Sequence, residues 1–205
     1  MRKSAARKPA KPLSKPSYFP EGQVLTRTMP PELAGQREFE EFHFIGFDFS
    51  QTSLSGWRFT DCRFENCNLA GTSIANTAFQ NVAFDGCKLL GLPFQACRDM
   101  LFAVHFDHCQ LAYASFHGRS LPNTRFVGCS MQEVDFTHAD LTQAVFQDCQ
   151  LRRAVFRQSK LNGTDFSTAQ EVTLDPALNE VKNARFALSS LPGLLTQFEL
   201  DIVNN

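Results

Sequence analysis

No run of 18 apolar residues occurs in this 205-residue chain, so it offers no candidate transmembrane helix. Its N-terminus lacks the apolar core of a secretory signal. There is no phosphate-binding loop, no dinucleotide fingerprint and no C-x-x-C pair. Those absences remove the commonest nucleotide, redox and zinc chemistries. Charge is nearly balanced, with 20 basic and 21 acidic residues and a formal net charge of −1. The chain as a whole therefore lacks the basic surplus of a nucleic-acid binder. The local exception is residues 1–30, where seven Lys or Arg face one acidic residue, interspersed with Pro and Ala. That segment reads as a disordered basic tail, with weak nucleic-acid contact as its sharper alternative.

What the chain does have is a period. A large apolar residue returns every fifth position from Phe44 to Phe94, and again from Phe106 to Phe166. Of these 24 positions, 14 are Phe and eight are Leu. Five residues turn a helix by about 500°, which scatters the series around the axis. In a flat strand, successive members would alternate faces. The pattern works only if the chain turns a corner within each repeat. Two residues before each large residue sits a mostly small one, such as Thr52, Cys67, Thr77, Ala114 or Ala154. In extended chain these two positions share a side, so both point inward. The other positions are mostly polar.

Stretches such as Ala139-Asp140-Leu141-Thr142-Gln143 and Cys149-Gln150-Leu151-Arg152-Arg153 resemble the A(D/N)LXX motif of pentapeptide-repeat proteins. The resemblance covers roughly residues 42–166. It implies an all-β fold, a right-handed quadrilateral parallel β-helix with four pentapeptides per coil. At 20-residue intervals, Phe44, Phe64, Phe84, Phe106, Phe126, Phe146 and Phe166 form one column, shifted only by two extra residues between Phe94 and Phe106. About six coils are expected, a rod roughly 30 Å tall at a ~4.8 Å strand spacing. The expected organisation is a tail at 1–30, a β-helix at 31–170 and a capping or dimerisation segment at 171–205.

All seven cysteines fall on the small inward position, and Cys67, Cys87, Cys109, Cys129 and Cys149 share one column. Parallel side chains a strand apart fit a disulfide poorly, and a line of thiols cannot converge tetrahedrally on zinc. They read as reduced, buried packing, which suits a reducing cytoplasm. The five histidines have no nucleophile beside them. His105, Asp107 and His108 are expected together on a convex outer face, which offers no pocket. No cofactor, no metal site and no enzymatic activity are expected.

Function is therefore sought where the period breaks. The interruption at residues 95–102 reads as a bulge, with Arg98, Asp99 and Arg119 as a candidate site; Arg119 is expected to bond Asp99 or the bulge carbonyls. Upstream, Phe39, Phe42, Phe44, Phe47 and Trp57 are expected to plug the first coil. Downstream, Asp175 and Pro176 read as a helix start, Phe186 as one more partial rung, and Ser190 as the cap of a helix. Leu191, Leu194, Leu195, Phe198, Leu200 and Ile202 then form either a hydrophobic lid or a homodimer interface, with a strand expected around Leu200 to Val203.

The tail segments Asn179 to Leu188, Gly193-Leu194-Leu195 and Glu199-Leu200-Asp201-Ile202 look like the C-terminus of the albicidin- and microcin-resistance branch of that family. That branch, with the Qnr proteins, implies a dimeric rod that imitates duplex DNA and protects DNA gyrase or topoisomerase IV from poisons. The most acidic side, Glu65, Asp85, Asp107, Asp148 and Asp165, is the candidate partner surface. Duplex DNA carries a charge every ~1.7 Å, or roughly 17 over such a rod. Residues 42–166 hold 11 acidic and 10 basic side chains, a net of −1. Charge alone does not make this rod resemble DNA. The alternative is a scaffold that binds some other macromolecule.

Overall fold

The computed structural model of the chain describes residues 22–50 and 52–203. The backbone winds as a parallel β-solenoid of about eight turns. Twelve short strands lie on two of its sides. These are β1 (Gln23–Thr26), β2 (Glu38–Glu40), β3 (Phe42–Ile45), β4 (Arg58–Thr60), β5 (Arg63–Glu65) and β6 (Ala78–Gln80), followed by β7 (Val82–Asp85), β8 (Val104–Asp107), β9 (Arg125–Val127), β10 (Val145–Gln147), β11 (Asp165–Phe166) and β12 (Arg185–Phe186). One parallel sheet runs β1-β3-β5-β7-β8-β9-β10-β11-β12, and another runs β2-β4-β6. The other two sides are ladders of single bridges, for example Asn68 to Lys88 to Gln110 and Ser115 to Asp135 to Val155. Four sides and a 20-residue register, such as Phe44 opposite Phe64, reproduce the expected coil.

The inward positions explain why the chain closes this way. Phenylalanines of the main column stack face to face, at 4.8 Å for Phe44 and Phe64 and 4.8 Å for Phe126 and Phe146. Each buried Phe or Leu contributes about 1.5–3 kcal/mol, and each aromatic pair about 0.5–1.5 kcal/mol more. The small inward residues do more than leave space. The Thr72 and Thr77 hydroxyls donate to the Phe49 and Leu54 carbonyls of the preceding coil, both at 2.8 Å. Ser159 and Thr164 do the same to Phe136 and Leu141 at 2.9 and 2.8 Å. Thr, Ser and Cys thus recur where a compact donor is needed against a buried carbonyl. Corners require the left-handed backbone, which accounts for Asp61, Asn66, Asn76 and Asn81 at φ values of 52–57°.

The rod is longer than six coils at both ends. Residues 23–26, expected within the disordered tail, form β1, which pairs with β3. The basic residues Arg2, Lys3, Arg7, Lys8, Lys11 and Lys15 lie outside the described residues. Phe39, Phe42, Phe44 and Phe47 are buried in the first coils, and Trp57 stacks on Phe39 at 5.6 Å. At the other end Phe186 stacks on Phe166 at 5.3 Å and completes one more rung. Asp175 caps a 3-10 turn at Pro176–Leu178, its carboxylate accepting from the Ala177 amide at 2.8 Å.

Two C-terminal expectations need correction. The helix expected from Ser190 is instead a 3-10 segment at Leu188–Leu194, entered from Ala187 and followed by another at Thr196–Phe198. Pro192 interrupts the amide ladder that a longer α-helix requires. Residues 200–203 form no strand. Among the described residues, no helix is long and apolar enough to cross a membrane.

Candidate functional site

Four of the five proposed acids lie in strands of the nine-stranded sheet, and Asp148 directly follows another of its strands, but the five stand in different columns. Glu65, Asp85 and Asp107 stand in register on the outer surface of the nine-stranded sheet, one per coil. Basic side chains from the neighbouring column already engage this ladder. Arg63 reaches Asp85 at 2.6 Å and Glu65 at 3.6 Å, and His43 reaches Glu65 at 3.0 Å. Asp165 lies on that other column and pairs with Arg185 at 2.6 Å. Asp148 sits at a corner with φ 53°, and its amide donates to the Thr168 hydroxyl at 2.9 Å. The period predicts the coil of each acid but not which cation stands beside it.

Of the three residues expected on one outer face, Asp107 and His108 meet at 2.6 Å, and His105 lies two residues before Asp107 on the same outward side of β8. Burial, with Arg125 nearby, depresses the His105 pKa and keeps its ring neutral. Ligand atoms of Asp85, Asp107 and His108 lie within 4.8 Å of one another. Asp85 is already held by Arg63, and His108 is exposed. Beside β2, Gln36, Glu38, Phe39, Glu40, Phe42, Arg58, Thr60 and Gln80 line an open cleft of about 390 Å³. The Thr60 hydroxyl in this cleft donates to the Gln80 side chain at 3.2 Å.

The interruption is the most individual feature of the rod. After Phe94 the chain makes a 3-10 turn at Phe94–Ala96 and swings outward, displacing the strand that would continue β2-β4-β6. Arg119, one coil later, fills the space beneath and is only 4% exposed. Its guanidinium donates to the Cys97 carbonyl at 3.2 Å, to the Arg98 carbonyl at 3.0 Å, and to the Asp99 carboxylate. It also lies over the Phe102 ring at 3.9 Å from the centroid. Burial lowers the Arg119 pKa, while Asp99 acts in the opposite sense; at neutral pH the group remains a cation. Arg98 points away and donates to the Asn76 side chain at 3.0 Å.

Sequence reasoning placed Arg119 against this bulge but missed what the bulge presents. Met100 and Leu101 are 75% and 70% exposed at its tip, Leu101 with a φ of 58°. Their signal was available: adjacent apolar residues inside an insertion, off the inward register. At the C-terminal end the candidate residues divide. Leu194 packs against the core, while Leu191, Leu195, Phe198, Leu200 and Ile202 are exposed, as are Leu188 and Val203. Gly193 makes the crossing possible, since a Cβ there would sit 2.0 Å from the Val172 carbonyl oxygen.

This arrangement defines a solenoid whose interior is committed to packing and whose distinctive surfaces are a bulge and an apolar end. Family models for a pentapeptide repeat region and for pentapeptide repeats (8 copies) match residues 99–177 and 54–91, respectively. The chain belongs to the pentapeptide-repeat family. Similar solved structures include two trypsin-treated variants of QnrB1, a plasmid-mediated fluoroquinolone resistance protein, each 15% identical. The first has a TM-score of 0.58 and covers 81% of this chain and 90% of that one. The second has a TM-score of 0.59 and covers 89% and 100%. HetL, a pentapeptide repeat protein involved in heterocyst differentiation regulation from the cyanobacterium Nostoc sp. strain PCC 7120, is 14% identical over 77% of this chain and 91% of its own, with a TM-score of 0.47. No curated protein matches. At these identities the likeness is one of fold.

Proposed function

We propose that this chain is a non-enzymatic, cytoplasmic binding rod whose partner is DNA gyrase or topoisomerase IV. It would protect that enzyme from a poison by occupying the place of duplex DNA. The observation that carries this reading is the C-terminal segment. Its resemblance to the albicidin- and microcin-resistance branch falls on residues 179–202, which form the last rung and the exposed apolar end of the rod. An end of this kind suits pairing with a second copy, giving a longer, two-fold symmetric rod.

Charge contributes little to the partnership. The acidic ladder holds three carboxylates, and Arg63 pairs with two of them, Asp85 and Glu65. Shape and the apolar bulge would supply most of the contact. A supercoiling assay with purified gyrase, with and without a poison, tests the proposal. Neither inhibition nor protection at micromolar protein would remove it. Replacing Asp107 and Asp148 by Lys tests the acidic side separately, because unchanged gyrase binding would exclude that side as the contact.

A second reading is a scaffold for a different macromolecule. The near-zero net charge of the rod favours it, since a DNA-shaped competitor gains from a negative surface.

A further inference from the structure

The cysteine column has a geometry that packing alone does not require. All seven cysteines are free and buried. Five of them, Cys67, Cys87, Cys109, Cys129 and Cys149, stand on successive coils. The residues that follow them are bridged in register, Asn68 to Lys88, Lys88 to Gln110, Gln110 to Ser130 and Ser130 to Gln150. Their side chains repeat one contact, and Cys67, Cys87 and Cys109 also donate to the Phe44, Phe64 and Phe84 carbonyls of the preceding coil at 3.4, 3.3 and 3.4 Å. In every case the sulfur lies 3.4 Å from the carbonyl oxygen two residues earlier. Stacking in register on successive coils spaces neighbouring sulfurs by the coil rise, about 4.8 Å.

That spacing excludes a disulfide, but it fits a different bond. With a metal–thiolate length of about 2.3 Å, a linear sulfur–metal–sulfur unit spans about 4.6 Å. A line of thiols cannot supply four tetrahedral ligands, and Leu69, Leu89, Leu111, Met131 and Leu151 occupy the next inward positions. Zinc is therefore disfavoured, and soft ions that accept two collinear thiolates are favoured. Charge narrows the class further. A monocation between two thiolates would leave one negative charge in an apolar core, which is costly. A dication between two thiolates is neutral.

We propose that the Cys67–Cys149 column is a binding site for two-coordinate soft dications, with Hg(II) as the representative ion, each held between the thiolates of neighbouring coils. Two thiols lose their protons to solvent, the ion gives up its two chloride or water ligands to solvent, two metal–sulfur bonds form in their place, and nothing is oxidised or reduced. Entry requires brief local opening of a coil, so uptake is slow and release slower. Five thiols in a line accommodate two such bridges.

The test uses the full reduced chain incubated with mercuric chloride under native conditions. Loosely held ions are stripped with a small monothiol, and bound mercury is counted by mass spectrometry. Far-UV circular dichroism confirms that the fold persists. Two double variants retain equal numbers of thiols but differ in adjacency. Cys67→Ala with Cys149→Ala leaves three neighbouring thiols and one bridge. Cys87→Ala with Cys129→Ala leaves three separated thiols and none. Ala144 and Ala114 occupy the same inward register, buried, so alanine fits this position. Above the shared background of Cys62 and Cys97, the expected uptake is two ions for the natural chain, one for the first variant and zero for the second. If a double variant fails to fold, single substitutions make the same distinction, since Cys67→Ala keeps two bridges and Cys87→Ala keeps one. Equal uptake by variants that differ in adjacency, or uptake only after unfolding, would overturn the proposal.

Discussion

Replacing Arg119 by Ala should destabilise the rod far more than removing its acidic partner. The guanidinium is 4% exposed and makes two hydrogen bonds to main-chain carbonyls, Cys97 at 3.2 Å and Arg98 at 3.0 Å. Truncation leaves both acceptors without that donor, at about 1–3 kcal/mol each. It also removes the stacking over Phe102, worth roughly 0.5–2 kcal/mol. Together these suggest a loss of about 3–5 kcal/mol, less whatever water recovers by entering the gap. Asp99, by contrast, has a side chain that is 96% exposed, so its ion pair is screened and contributes at most about 1 kcal/mol. The assay is guanidinium unfolding of Arg119→Ala and Asp99→Ala beside the natural chain, with amide hydrogen exchange at residues 97–103 as a local readout. Arg119→Ala should shift the midpoint strongly and lose local protection, and Asp99→Ala should do neither. Equal midpoints for the two variants would refute the claim that the carbonyl bonds, rather than the ion pair, hold the bulge.

Three further predictions follow from the core and corners. Phe126→Ala removes a fully buried ring stacked at 5.3 and 4.8 Å between Phe106 and Phe146, so it should cost about 3–5 kcal/mol in thermal or chemical unfolding; a loss under 1 kcal/mol would contradict close packing there. Burial pushes the Cys62 and Cys97 thiols from their ordinary value of 9.0 up to about 12. Because the folded pKa is the higher one, their contribution to stability is complete below pH 9 and is lost as pH rises from about 9 towards 12. Unfolding midpoints at pH 8 and 10.5 should show the decline, and Cys62→Ala with Cys97→Ala should reduce it, leaving the share of the raised Cys67, Cys109 and Cys149 thiols. Gly128 has a φ of 59°, and a Cβ there would sit 2.8 Å from the His108 ring. Gly128→Ala should therefore lower stability by roughly 1 kcal/mol, and replacing His108 by Ala as well should recover part of the loss.

The inward pattern was legible because it is local and repeated. A residue such as Phe84 needs only its position in the pentapeptide to be placed, and its neighbours Phe64 and Phe106 follow by counting along the chain. The same logic gave the cysteine column and the surplus space that Arg119 fills. It failed at Gln23–Thr26, whose sequence carries no clear repeat yet pairs with β3, and at Leu188–Leu194, where Pro192 and the close approach of Gly193 to Val172 decide the path. It put five acids on one side of the rod, where four do lie in the nine-stranded sheet, but it did not say which basic side chain stands beside each.

The five-residue period by itself determined a chain that turns a corner in every repeat, the buried phenylalanine column and the inward placement of the cysteines, and the family resemblance added the four sides. Each of these depends on what one repeat does, and stacking multiplies it. Only the tertiary structure decided where the rod ends, which carboxylates already have cations, and how the bulge is held. Those outcomes depend on groups in different coils meeting in space. Arg119 reaches the Cys97 and Arg98 carbonyls only because an adjacent coil has swung outward. No count along the chain specifies the distance between them.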